Sequence, residues 1–361
     1  NKLYNIIYKY QKNNLDKFGG DIYKDKESVF LGMFEKLKKF DNLEKFFLNI
    51  DRIIKNKEGI IITGDYDADG IGSTVMFADF LDMLNIPYKV RLPEREKDGY
   101  GIREDNLNDL LNYSLGSDGF NNVVALDNGV NQIGVYNNLK ELGYNFFIID
   151  HHGEDEDLIK NNISQTHFQL NPHLIENKEK ILTDESNMCT GQLVYMFCLG
   201  YLKTRGKNDI AGLFSKIEVD MLLTTTICDM MPLTGLNRGI VKHFKNDFLY
   251  QGKFLRKSMK KMLNDGLDGP FIQIDPENSK INNIETFIGW TVGPNINALG
   301  RIDKPINAFH FIRNSGVEYE YVLENNEKRK KLTKLIKEEI FLNNKEELEN
   351  PSQNYFLYKG G

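Results

Sequence analysis

The sequence predicts an α/β fold: a mostly parallel sheet flanked by helices, followed by a long connector helix. Three observations carry this. Short apolar runs rich in β-branched and aromatic residues, at 59–63 (GIIIT), 122–126 (NVVAL) and 145–149 (NFFII), alternate with stretches of helical periodicity, as in strands joined by crossover helices. An acidic residue follows each of these runs, after one glycine in the first and directly in the other two. Residues 317–348 contain neither glycine nor proline and are highly charged around an apolar seam of Leu332, Leu335, Ile336 and Ile340, with Pro351 as the stop.

Residues 1–55 read as helical and amphipathic. The run at 59–63 enters GDYDADG, residues 64–70. This begins like a calcium loop, D-x-D-x-D-G, but loop position twelve, a bidentate glutamate in an EF-hand, is Met76. The loop also follows a strand instead of a helix. Phe77, Leu81 and Leu84 then fall on one helical face. Tyr88, Val90 and Leu92 alternate with Lys89 and Arg91 as a second strand. The run 122–126 ends at Asp127; Val135, Leu139 and Leu142 mark a helix stopped by Gly143; the run 145–149 ends at Asp150-His151-His152. Ile210, Leu213, Phe214, Ile217 and Met221 mark an amphipathic helix leading into a buried segment that ends at Cys228-Asp229.

The net charge of −6 excludes a generally basic nucleic-acid coat but leaves room for a local basic groove. No apolar run approaches a membrane span, and the first residues, NKLYNIIYKYQKNN, lack the continuous apolar core of a signal peptide. The chain opens at Asn1, so its start is read as trimmed. Cys189, Cys198 and Cys228 lie in apolar surroundings without metal-ligand spacing; they read as buried thiols of a reducing compartment, which sets the expected location as cytoplasmic.

Consecutive parallel strands bring their carboxyl ends to one edge, so Asp65, Asp67, Asp69, Asp127, Asp150, His151, His152 and Asp229 are expected to converge there. One aspartate at a strand end is ordinarily a cap or turn former. Four such clusters are hard to read as caps. Crowded carboxylates favour a cation, and Asp with His suits a binuclear Mn²⁺ or Mg²⁺ site.

The set DYDADG, LDNG, DHH and CDMMPL resembles the four motifs of the DHH phosphoesterase superfamily. LPEREKDGYGI (92–102) and GPNINALGRI (293–302) resemble two further segments of its RecJ-type exonucleases, the latter their GP-x-x-N-A-x-GR motif. The resemblance covers about residues 55–340. It implies a DHH catalytic domain at 56–235, the remainder of the catalytic core at 236–315, a connector helix at 316–350, and at 351–361 the start of a DHH-associated domain that is missing, the chain being either truncated or naturally short. It also implies 5′-to-3′ degradation of single-stranded DNA by two-metal hydrolysis, in repair or recombination. The strand would be 5′-phosphorylated, with no membrane partner. A single-strand-binding protein or other replication and repair proteins are the expected partners.

By the same resemblance, one ion is held by Asp65 or Asp67 with Asp127. The second is held by Asp69, Asp127, His151 and Asp229, so that Asp127 bridges the two. His152 touches the scissile phosphate, and Asp150 orients the histidines. Arg301, Asn297 and Asn295 bind phosphate or sugar, while Gly293 and Gly300 let the backbone approach the strand. Arg95 is either the 5′-phosphate ligand or a member of a local ion-pair run; Tyr100 is either a base-stacking ring or a packed core tyrosine. Lys253, Arg256, Lys257, Lys260 and Lys261 form a basic cluster that faces either DNA or solvent. Trp290 is expected in the core, and His167, His173, His243 and His310 as structural or exposed residues. Two other functions compete. One is a phosphodiesterase for short oligonucleotides or cyclic dinucleotides, or a pyrophosphatase, within the superfamily. The other is a catalytically inactive scaffold that binds DNA or a replisome; the intact motif acids argue against it.

Overall fold

The β-branched runs become strands of one parallel sheet in the computed structural model of the protein, which describes residues 23–99, 101–103, 107–112, 119–155, 168–174, 187–206, 219–250, 256–267, 273–275, 280–282 and 284–343. Its strands are β1 (Ile60–Thr63), β2 (Tyr88–Arg91), β3 (Asn122–Leu126), β4 (Asn145–Ile149) and β5 (Gln169–Leu170), in the order β2-β1-β3-β4-β5. Ile60 pairs in register with both Tyr88 and Asn122, and Asn122 with Asn145, so the carboxyl ends of β1 to β4 lie level. The chain steps outward from β1 to β2 and then returns past β1 to β3. The loops leaving β1 and β3 therefore diverge, which opens a crevice at that edge.

Alternation divides the sheet between two cores. Ile60, Ile62, Val124, Leu126, Phe147 and Ile149 face the larger one; Ile61, Val123, Ala125, Phe146 and Ile148 face a smaller one with Ile102, Leu107, Leu110, Val135 and Leu139. Helices α1 (Lys26–Leu37) and α2 (Leu43–Asn56) pack into the larger core, so the described part of 1–55 shares the core of the sheet. Helix α3 (Ala68–Leu84) starts where the Asp67 carboxylate accepts hydrogen bonds from the Asp69 and Gly70 N–H groups at 3.0 and 3.1 Å. The short helices α4 (Arg95–Asp98) and α5 (Leu107–Asn112) and then α6 (Ile133–Glu141) cover the near face and rim. Helices α7 (Thr190–Thr204) and α8 (Val219–Cys228) pack against α3 in the larger core, and buried residues run around nearly the whole of α3 and α7.

Further along lie α9 (Gly235–Tyr250), α10 (Lys257–Leu267), a β6–β7 hairpin (Gln273–Asp275 and Lys280–Asn282), and α11 (Ile284–Phe287). The chain then winds into a π-helical turn at Ile288–Val292, followed by α12 (Gly293–Ile302), α13 (Pro305–Ile312) and α14 (Tyr319–Asn343). No described helix is long and apolar enough to cross a membrane.

Some expectations change. Asp229 follows a helix, not a strand: Val219 and residues 221–226 are all buried, and a run buried on every side has no periodicity to separate helix from strand. Strand β5, two residues long, and the β6–β7 hairpin went unread. The helix expected at 210–217, residues 1–22 and residues 344–361 lie outside the described residues. Helix α14 leaves Leu332, Leu335 and Ile336 exposed, as a connector would.

Candidate metal centre

The crevice gathers donors from four places. Asp65, Asp67 and Asp69 come from the turn after β1, Asp127 from the end of β3, His151 and His152 from the end of β4, and Asp229 from the end of α8. Three sets each offer ligand atoms within 4.8 Å of one another: Asp65 with Asp67 and Asp127; Asp69 with His151 and Asp229; Asp127 with His151 and His152. Asp127 and His151 each belong to two sets, so the sets form one continuous site. His151 Nε2 stands 3.5 Å from both Asp127 Oδ1 and Asp229 Oδ2, and 3.9 Å from Asp69 Oδ2.

The backbone is shaped to this end. Asp127 adopts a left-handed φ of +63°, which aspartate tolerates better than most residues but which still carries strain. Gly70 sits where a Cβ would come 2.5 Å from the Asp65 backbone nitrogen, so only glycine closes this turn. Asp69 accepts hydrogen bonds from the Thr190 and Gly191 N–H groups (2.8 and 2.9 Å), and the Thr190 hydroxyl donates to Asp127 Oδ1 (2.9 Å). The N-terminus of α7 thus fixes two acids of the centre. Asp150 is fully buried; its Oδ1 accepts from the His151 and His152 N–H groups and lies 2.7 Å from His152 Nδ1, while its Oδ2 accepts from the Val130 N–H.

Burial, and then the charge of Asp67, push the Asp65 and Asp229 carboxyls up to about 7. Burial and neighbouring acids hold Asp69 and Asp127 well above the usual carboxylate range. Asp150 moves the other way, because its hydrogen bonds and the His152 charge outweigh burial. Burial and the neighbouring His152 push His151 down to about 4, which leaves a neutral imidazole able to coordinate; the hydrogen bond to Asp150 raises His152. Asp65 Oδ1 and Asp229 Oδ2 are buried without a hydrogen-bond partner. Orphaned carboxylate oxygens in a site where four acids resist ionisation fit hard divalent cations.

The model of the DHH family, N-terminal domain, matches residues 59–226, which carry all of these groups except Asp229. Residues 59–226 are a DHH-family domain. A Bacillus subtilis relative, single-stranded-DNA-specific exonuclease RecJ, is 26% identical over 263 residues, or 73% of this chain and 29% of the relative. The chain thus spans less than a third of that protein's length. Among solved structures, exonuclease RecJ bound to manganese aligns with a TM-score of 0.66 at 17% identity, covering 84% of this chain and 70% of that one. The Mn²⁺ complex of Thermus thermophilus RecJ gives 0.63 at 15% identity, covering 84% and 40%. At such identities the alignments show that the fold is shared.

Other expected site residues scatter around this DHH domain. Arg95 is exposed with its guanidinium 5.6 Å from the Tyr66 ring. Burial and the charges of Asp65 and Asp67 raise the Tyr66 phenol, while Arg95 and Arg301 act to lower it, so both arginines stand near the first acidic turn. Arg301 is exposed and has no ion pair among the described residues; Asp303 instead accepts hydrogen bonds from Asn307 and Tyr321. Tyr100 lies outside the described residues.

Several assignments are corrected. Asn295 is buried; its Oδ1 accepts from Asn326 at 2.7 Å and its Nδ2 points at the Met262 sulfur, so it faces the core and not a strand. Asn297 is not among these: its Oδ1 accepts from the Ala68 N–H at 2.8 Å, bracing the turn between Asp67 and Asp69, and its side chain lines a cavity shared with Arg301. Gly300 is needed for the Tyr66 carbonyl, which a Cβ would meet at 1.9 Å, and Gly293 for the Cys228 sulfur at 2.6 Å. In the basic cluster, Arg256 is buried against Asp79 (2.6 Å) and Lys261 pairs with Glu320 (3.0 Å), while Lys253 is outside the described residues. Trp290 is exposed. His173 lies near enough to His151 to bear on its protonation. Thr190 and Gly191 went unread because a threonine and a glycine opening a helix carry no signal beyond that role.

Proposed function

We propose that the chain is a metal-dependent phosphodiesterase that releases nucleotides from the 5′ end of single-stranded DNA, in repair or recombination. The observation that carries this reading is the continuous set of donors sharing Asp127 and His151 at the open edge of the sheet. It is supported by the likeness in sequence to a protein named single-stranded-DNA-specific exonuclease RecJ and in fold to two RecJ structures with manganese.

Two Mn²⁺ or Mg²⁺ ions would activate water and neutralise charge on the phosphate and leaving oxygens. Asp65, Asp67 and Asp127 would hold one, and Asp69, Asp127, His151 and Asp229 the other. Asp150 keeps a hydrogen bond on His152 Nδ1, which leaves the other ring nitrogen to face the scissile phosphate, with a raised proton affinity that suits an anion. Arg301 would fork onto phosphate oxygens, and Arg95 would meet the 5′-phosphate. No serine or cysteine nucleophile is needed; burial raises the Cys189, Cys198 and Cys228 thiols and leaves them unreactive. The reading places the protein with cellular DNA, in the cytoplasm, with single-strand-binding proteins as partners.

The test is digestion of a 5′-phosphorylated, 3′-labelled oligonucleotide by the purified chain. Mononucleotide release that requires Mn²⁺ or Mg²⁺, stops with chelator and spares duplex supports the reading. Hydrolysis confined to dinucleotides would move the chain to the short-substrate enzymes, and no hydrolysis with either ion would favour the inactive scaffold.

A further inference from the structure

We propose a nucleotide-binding subsite beside the acidic crevice, where the π turn, α12 and α14 meet: Trp290 stacks on a base, and Arg329 acts with Arg301 on the adjoining phosphate. This deepens the nuclease reading and rests on it. A cavity of about 120 Å³ lies there, its lining including Cys228, Gly289, Asn297, Arg301 and Arg329. Its wall is continuous with the metal centre, since Cys228 precedes Asp229 and Asn297 holds the Ala68 N–H within the first acidic turn.

Two features mark it as a place for an anion with an aromatic neighbour. Neither Arg301 nor Arg329 has an ion pair among the described residues. Arg329 Nε and Nη2 donate to Asn326 Oδ1 at 3.0 and 2.9 Å, which fixes its fork without neutralising it. Two guanidiniums on one cavity without a carboxylate partner call for a phosphate. Trp290 follows Gly289 in the π turn and is 72% exposed, while Ile288 and Val292 on the same turn are fully buried. The inner side of the turn therefore anchors it, and the indole is presented outward. A π-helical turn is uncommon and recurs at functional sites. Exposed aromatics beside arginines are how single strands are gripped without sequence preference. Met230, 87% exposed and one residue past Asp229, adds a second apolar surface next to the same wall. The connector helix thereby takes a direct part in substrate binding through Arg329.

The chain contains one tryptophan, so its emission reports on Trp290 alone. The full chain with Mn²⁺ is titrated with a 5′-phosphorylated, phosphorothioate-linked oligothymidylate that resists hydrolysis. Anisotropy of a 3′ label follows binding in parallel. Expected are quenching that tracks the anisotropy, and binding of an abasic strand of equal length about ten- to a hundredfold weaker without quenching. Trp290→Ala should lose affinity for the oligothymidylate by the same factor but not for the abasic strand, and Trp290→Phe should retain most of it. Arg329→Gln should weaken both strands and flatten the salt dependence by about 0.7 in log–log slope. A strand that binds with unchanged Trp290 emission, and equally well to Trp290→Ala, overturns the subsite alone, as it would if the indole serves a protein partner. Failure of the wild-type chain to bind any strand overturns the nuclease reading along with it.

Discussion

Asp65, Asp69 and Asp127 in the sheet crevice, and Asn295, Asn297 and Gly300 on α12, are joined through the short stretch Tyr66–Ala68, yet their polar groups face different partners. The crevice acids turn oxygens inward to a shared space and keep some of them unsatisfied. On α12 the amide oxygens are spent within the protein, Asn295 Oδ1 on Asn326 and Asn297 Oδ1 on the Ala68 N–H, and Gly300 leaves room for the Tyr66 carbonyl. A dense motif therefore need not be a dense ligand site. In the crevice, the sheet supplies the positions and the side chains are left for chemistry. On α12, the side chains supply the positions, and one exposed arginine, Arg301, is left over.

The sharpest way to break this contrast is Asp127→Asn. Asp127 belongs to two of the three donor sets, so its loss should cut Mn²⁺-dependent hydrolysis to about a thousandth or less, the scale of removing a principal electrostatic partner of the reaction. The far-ultraviolet spectrum should not change, because the amide keeps the side chain's volume. A folded Asp127→Asn chain with wild-type turnover would remove the crevice from the chemistry.

Arg301→Gln tests the other side. An exposed arginine without an ion pair should contribute little to folding, so the melting temperature should stay within about 1–2 °C. Loss of a charge-assisted contact, about 1.5–3 kcal/mol, should lower kcat/KM roughly ten- to a hundredfold and reduce the salt slope of strand binding by about 0.7. A lowered melting temperature with an unchanged salt slope would make Arg301 another bracing residue, like Asn297.

The acids also set a pH dependence for the cation-free protein. Asp65 and Asp229 are held at about 7 in the folded chain, and Asp69 and Asp127 are raised as well, against a usual value near 4. Between these values the folded state binds more protons than the unfolded one, so stability is present below about pH 4 and is lost as pH rises toward 7. His151, held down at about 4, works in the opposite direction, but one imidazole opposes four carboxyls. In chelator, the melting temperature should fall by several degrees from pH 5 to pH 8, and added Mn²⁺ should raise it more at pH 8 than at pH 5. A melting temperature that rises with pH in chelator would mean that the acids are not crowded in solution.

Much of the crevice was legible because strand runs of β-branched residues fix where a chain turns, and parallel strands send all such turns to one edge. Asp127 and Asp150 could be placed from NVVAL and NFFII alone. Asp229 was expected to converge without its helix being read, since VDMLLTTTIC is buried all round and shows no period. Trp290 was misplaced because tryptophan is usually buried, and nothing in FIGWTVG announces a π turn that rotates it outward. Arg329 was hidden among five basic residues of KRKKLTK and its neighbours; only packing of α14 on α12 brings it to the cavity. Asn295 shares a motif with Arg301 but not its surroundings, because a motif groups residues by sequence whereas burial separates them.

Asn295 supplies the finest discrimination. If its amide serves the core, Asn295→Ala leaves the Asn326 Nδ2 without its acceptor in a buried place, at a cost of about 1–3 kcal/mol. The melting temperature should then drop by roughly 2–10 °C. Assayed well below that temperature, kcat/KM should stay within about twofold of wild type, because no ligand contact has been removed. If Asn295 instead reaches the strand, Asn295→Ala should lower kcat/KM about tenfold. Asn326→Ala removes the same hydrogen bond from the opposite side and should lower the melting temperature likewise, but it also frees the Arg329 fork, so it reports on stability alone. Melting temperature and kcat/KM of Asn295→Ala together therefore separate a residue that holds α12 against α14 from one that holds DNA, and a tenfold kinetic loss would return this asparagine to the substrate site.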